Sequence, residues 1–167
     1  MIVQALTAVA ALLALSPLAI ALCAAPRGAR ATSLVYGACL AITLVLGAIA
    51  LFSLFGYGGA ISAVTLPLGL PWLGAHFRID ALAAFFLFVV NLGGAAASLF
   101  ALGYGRHDDS PQRVLPFYPV YLAAMNLVVM ADDAFTFLVS WEFMSLTSWA
   151  LVIAHHRVAE NLRAGTI

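Results

Sequence analysis

Lysine is absent from this chain, and its basic residues are all arginine: Arg27, Arg30, Arg78, Arg106, Arg113, Arg157 and Arg163. Charge of either sign is scarce, at 8% of 167 residues, and seven acids balance the seven arginines. A neutral, charge-poor chain offers no electrostatic footprint for nucleic acid or for an anionic surface. Cysteine is limited to Cys23 and Cys39, both inside apolar runs. With no Cys-x-x-Cys and no Cys/His cluster at metal spacing, both read as small buried hydrophobes. Glycine-rich phosphate loops and Ser/His/Asp sets are also missing. No nucleotide, metal or covalent chemistry is indicated, so no cofactor and no catalytic residue is expected.

What is abundant is apolar sequence. Hydrophobic residues make up 65% of the chain and the mean hydropathy is +1.08, a composition of the membrane class. Charges, Gly and Pro break it into five apolar segments. They predict an all-α, multi-pass transmembrane bundle in one domain, with spans at roughly 3–25, 32–55, 80–104, 114–131 and 134–154. The first run ends in small residues, as a signal peptide does. It lacks a positive n-region and exceeds the usual apolar length of about 7–15 residues, so it reads as a retained helix. The stretch 56–74 is too broken by Gly and Pro to span and reads as a loop, with Trp72 suited to the water–lipid interface.

The loops give a direction. With five spans, six arginines fall on the side of loop 1–2, loop 3–4 and the C-terminal tail, and Arg78 alone on the other. The positive-inside rule then predicts the N-terminus outside and the C-terminus in the cytoplasm.

Several polar residues lie in or beside these spans. Asp80 reads as the N-cap of helix 3 with Arg78 close by, and Asp132-Asp133 as a solvated turn that caps helix 5. Asn91 and Asn126 predict hydrogen bonding between helices, and Gly93-Gly-Ala-Ala-Ala-Ser98 a face for close helix packing. His155-His156 mark the exit of helix 5. Two adjacent histidines at a helix end do not make a haem site; interfacial solvation and proton entry both fit them.

Glu142 is the only ionisable side chain between Ala134 and Ala154. It lies nine residues past Asp133, about 14 Å along a helix and close to the midplane of a bilayer about 30 Å thick. Phe135, Leu138, Val139, Leu146 and Trp149 share its face, softened only by Ser145; the hydroxyls of Thr136, Ser140 and Thr147 point the other way. A carboxylate at that depth is costly and marks a functional-site hypothesis. It is either protonated or paired with a cation or water from another helix. A packing role as a protonated, hydrogen-bonded group is the alternative.

The segment Ala131-Asp-Asp-Ala-Phe-Thr-Phe-Leu-Val-Ser-Trp141-Glu142-Phe-Met144-Ser-Leu-Thr-Ser-Trp-Ala-Leu-Val152 resembles the antiporter-like membrane subunits of respiratory complex I and membrane-bound hydrogenases. Within them it is most similar to hydrogenase-4 component B and formate hydrogenlyase subunit 3. Leu66-Pro-Leu-Gly-Leu-Pro71 leading into Arg78-Ile-Asp80-Ala-Leu-Ala-Ala-Phe-Phe-Leu is a second match, and Phe117-Tyr-Pro-Val-Tyr-Leu-Ala-Ala-Met-Asn126 a third. The resemblance implies that Glu142 is a proton-translocation carboxylate whose partner is a Lys on a broken helix not contained in residues 1–167. Trp141, Met144, Ser145, His155 and His156 are then candidates for its support or proton path. It also implies that the chain corresponds to the N-terminal part of a larger subunit. The expected setting is the inner membrane of a bacterium, with other membrane and peripheral subunits of a hydrogenase- or complex I-like redox assembly as partners, beside the lipid bilayer and protons. A multisubunit cation/proton antiporter or a structural scaffold would share the fold.

Overall fold

The computed structural model describes residues 1–24, 28–56, 61–69, 72–104 and 111–155. Five α-helices carry the fold: α1 (Ile2–Ala24), α2 (Gly28–Phe55), α3 (Ala81–Tyr104), α4 (Phe117–Met130) and α5 (Ala134–Val152). Four of them, all but α4, are long and apolar enough to cross a membrane. The protein is a multi-pass helical membrane protein.

Element bounds depart from the sequence reading in three places. Helix α2 begins at Gly28, four residues before the expected start at 32, because the good helix formers Ala29, Arg30 and Ala31 extend it. Helix α4 has 14 residues rather than the expected 114–131, about 21 Å at 1.5 Å per residue. Leu115 precedes Pro116, and a residue before proline disfavours helical backbone. A 3-10 turn, Pro111–Arg113, supplies the approach instead. At the other end α5 stops at Val152, and Ile153–His155 form a closing 3-10 turn.

The largest difference is at 56–74. The segment does not span, as expected, but it contributes a strand: β1 (Ser62–Leu66) pairs antiparallel with β2 (Ala75–Ile79), just beyond it, from Ser62 opposite Ile79 to Leu66 opposite Ala75. Gly69 and Gly74 have φ of +84° and +70°, which let the connection turn. Phe77 and Ile79 point inward and are buried, the period-2 pattern of a strand lying on a core.

Helix α2 packs along α3 and α4 along α5, while α1 touches both α2 and α4. The α3–α4 contact is smaller and is held by polar groups. Asn91 donates to Asn126 Oδ1 at 2.6 Å, and Asn126 faces Asn91 Oδ1 in return at 3.5 Å. Each amide also donates to the carbonyl one turn back, of Leu87 and of Leu122, both at 2.8 Å. The pair is buried and closed on itself, as a polar group in an apolar bundle must be. Two turns further along α3, Ser98 Oγ and Tyr118 Oη lie 2.8 Å apart. Between these ties a Cβ on Gly94 would come within 3.0 Å of Leu122 and 3.2 Å of Thr43. Its missing side chain therefore sets the close approach of α3 to α2 and α4.

Three ties fix which ends lie together. Ile2 N–H donates to Ser62 Oγ at 3.3 Å. Asp132 N–H donates to the His76 carbonyl at 2.9 Å. Arg113 Nη1 donates to the Ala154 carbonyl at 3.4 Å. The start of α1, the hairpin and the α4–α5 turn therefore share one end. The approach to α4 and the close of α5 share the other. Alternating ends are what helices crossing back and forth require.

Candidate functional site

Helix α5 starts at a built N-cap. Asp133 is extended and its carboxylate accepts from Thr136 N–H at 2.9 Å and from the Thr136 hydroxyl. These bonds favour the charged form. The Thr136 hydroxyl and amide, with the His76 backbone, hold the Asp133 carboxyl down at about 2. Asp133 also accepts from His76 N–H at 3.2 Å, and Arg78 Nε donates to Asp132 Oδ1 at 2.6 Å. Arg78 further pairs with Asp80 at 3.2 Å, whose other oxygen caps α3 through Ala83 N–H at 2.8 Å. The turn and caps read from sequence are thus one polar clasp between β2, α3 and α5. The tie to β2 joins residues 57 apart and has no local signal in the sequence.

Down the helix, the two faces separate. Thr136, Ser140 and Thr147 are buried, so the hydroxyl stripe packs inward. Thr147 Oγ1 returns its proton to the Phe143 carbonyl at 2.9 Å. Leu138, Val139, Trp141, Leu146 and Trp149 are exposed, and so are Glu142 and Ser145. Glu142 makes no hydrogen bond or ion pair with any described residue. Trp141 leans on Phe137, ring centroids 5.7 Å apart, and Met144 is half-buried. His155 lies in the closing 3-10 turn by its backbone, and His156 lies outside the described residues. The structure therefore groups Trp141, Glu142 and Ser145 on one outward face, with Met144 beside it. His155 is about 13 residues, roughly 20 Å, from Glu142, too far for direct contact.

A cleft of about 580 Å³ runs beside this face at the far end of α5. Phe117, Phe143, Leu146, Trp149 and Ala150 line it, with Arg113 at its rim.

No family model matches the chain. Individual relatives do. Hydrogenase-4 component B of Escherichia coli is 38% identical over 79 residues, 46% of this chain and 12% of the relative. NADH-quinone oxidoreductase subunit L of Mycobacterium tuberculosis is 27% identical over 112 residues, 64% of this chain and 18% of the relative. A putative antiporter subunit of Staphylococcus saprophyticus is 30% identical over 91 residues, 50% of this chain and 11% of the relative. The chain is a homologue of the antiporter-like membrane subunits. It spans less than a fifth of the length of these relatives. A solved structure of the Mrp complex from Dietzia sp. shares the fold: it superposes at a TM-score of 0.69 with 20% identity, over 99% of this chain and 33% of that one.

Proposed function

We propose that this antiporter-like chain contributes the Glu142 carboxylate to proton translocation in a multisubunit redox complex of a bacterial inner membrane. The observation that carries the reading is the position of Glu142. It stands near mid-depth on the outward apolar face of α5, with no partner among the described residues. A carboxylate in hydrocarbon has to be neutral or matched by a cation. Its own helix turns Thr136, Ser140 and Thr147 the other way and leaves only the neutral Ser145 hydroxyl on that face, so the match comes from a helix outside the described bundle. A group that alternates between protonated and paired states takes up and releases a proton as its partner approaches and withdraws. In this reading the chain is the N-terminal part of a larger membrane subunit, oriented with the hairpin outside. Trp141, Met144 and Ser145 shape the surroundings of Glu142, and His155, in the closing turn of α5, stands at the cytoplasmic end.

The similarity to a putative antiporter subunit favours a second reading, exchange of a metal cation for protons without a redox partner. Both readings use Glu142. Reconstitution with the companion subunits in vesicles separates them: the first predicts proton uptake driven by electron transfer, the second uptake driven by an imposed cation gradient. Glu142→Gln lowers uptake at least about tenfold in both, with assembly intact. Undiminished uptake in that variant contradicts both and leaves a scaffold.

A further inference from the structure

The cleft beside α5 is polar at one end only. Phe117 of α4 forms one wall, and Phe143, Leu146, Trp149, Ala150 and Ile153 form the other. From Phe143 to Ile153 the chain rises about 15 Å at 1.5 Å per residue, half of a hydrocarbon core about 30 Å thick. Phe143 follows Glu142 near mid-depth, so the cleft runs from the middle of the bilayer to one surface, the depth of one leaflet. The one hydroxyl in its wall, of Thr147, donates to the Phe143 carbonyl at 2.9 Å and is turned back into its own helix. At the surface end stand Gln112 and Arg113, in the 3-10 turn that leads to α4. Arg113 Nη1 donates to the Ala154 carbonyl at 3.4 Å, which holds the guanidinium over the close of α5.

We propose that this cleft seats an acyl chain of an anionic phospholipid, with the lipid phosphate on Arg113 and Gln112. The polarity matches end for end: apolar walls for the chain, cationic and amide donors at the surface for the headgroup. A guanidinium is a planar fork of donors that fits phosphate oxygens, and the exposed Gln112 amide adds donors beside it. A cation where an apolar cleft between helices meets water draws anionic headgroups. The size argues against a helix as occupant. Two turns of a helix about 10 Å across take up about 850 Å³, more than the 580 Å³ of the cleft, whereas an unbranched acyl chain is thinner. A helix laid over Arg113 would also have to supply an acid to match the buried charge, while a phospholipid carries its anion with it. Seated there, the chain fills the space between α4 and α5 that the methyl of Ala150 leaves open. The inference stands on the cleft and does not depend on proton translocation at Glu142.

Photo-crosslinking of the full chain in phosphatidylcholine vesicles tests it. Phosphatidylglycerol or phosphatidylcholine with a diazirine on the acyl chain is added at the same low mole fraction, and the labelled residues are mapped by mass spectrometry. The anionic probe is expected to label Phe117 and the Phe143–Ala150 stretch about fivefold more than the zwitterionic probe, the scale of one arginine beside an anionic headgroup. Both probes are expected to label Val89 and Leu92 equally, which are exposed on α3 away from the cleft. In Arg113→Gln the preference at the cleft is expected to vanish. Equal labelling of the cleft by the two probes, a preference that survives in Arg113→Gln, or no labelling by either probe, as a covering polypeptide would give, overturns the inference. Should Arg113→Gln fail to fold, a probe with a cationic headgroup decides on the unsubstituted chain. It is expected to label the cleft less than the zwitterionic probe does, and equal or stronger labelling overturns the inference.

Discussion

Arg78 Nε donates to Asp132 Oδ1 at 2.6 Å across 54 residues of sequence. With it the hairpin is pinned to the turn from which α5, and so Glu142, descends. The side chains are only partly covered, at 41% and 30% exposure, so the pair stands in water and its strength is that of a surface ion pair. Arg78→Ala is expected to lower the stability of the solubilised chain by about 1 kcal/mol or less. The effect should shrink as ionic strength rises from about 0.05 to 0.5 M. Thermal unfolding at the two salt concentrations checks it.

Asp133 predicts a pH dependence with a definite sign. Its carboxyl lies below the ordinary value of about 3.9, so it stabilises the fold above that value. The contribution is lost as pH falls through about 2. Between about pH 4 and pH 2 the unsubstituted chain should therefore lose stability faster than Asp133→Asn. Thr136→Val, which removes the hydroxyl that holds the carboxyl down, should move its titration up toward the ordinary range, as read from the carboxylate carbon-13 shift.

The Asn91–Asn126 pair predicts non-additivity. Removing one amide leaves the other unpaired in an apolar interior, at a cost of about 1–2 kcal/mol. The double variant Asn91→Leu/Asn126→Leu should cost less than the sum of the single changes, by about 0.5–1.5 kcal/mol. A double-mutant cycle on unfolding in detergent measures this; strict additivity would show that the two amides do not act as a pair.

Gly69 predicts a local effect. Its φ is +84°, and an added Cβ would lie 2.9 Å from the Phe135 ring. Gly69→Ala should destabilise by about 1–2 kcal/mol and raise hydrogen exchange in Ser62–Leu66 and Ala75–Ile79 before the helices. Uniform loss of protection across the chain would contradict a local role.

Much of this fold is legible in the sequence because a bilayer limits the choices. Long apolar runs with sparse charge have to be helices, and five segments emerge as five helices. The Asn pair and the buried hydroxyl stripe of α5 follow from the same rule, that polar groups in hydrocarbon find partners. The hairpin is harder to see. Its signal is an alternation in Phe77-Arg78-Ile79 only a few residues long, hidden among Gly and Pro that argue for a loop. The short α4 is masked by an apolar run that continues across Pro116. Within the site, Asp133 is readable as a cap from its position before α5. Its tie to His76 is not, since contacts 57 residues apart leave no local pattern. Glu142 is legible because it is the one charge in its segment, while no partner for it is present among the described residues.

Proton uptake by vesicles carrying the assembled complex, with unsubstituted chain or Glu142→Gln, tests the role of Glu142 most directly. Equal amounts of assembled complex are expected from both. Uptake should fall at least about tenfold in Glu142→Gln, the scale of removing a positioned proton carrier, while electron transfer or cation binding at the companion subunits persists. Uptake in Glu142→Gln equal to that of the unsubstituted complex would contradict the proposal and reduce Glu142 to a packing residue.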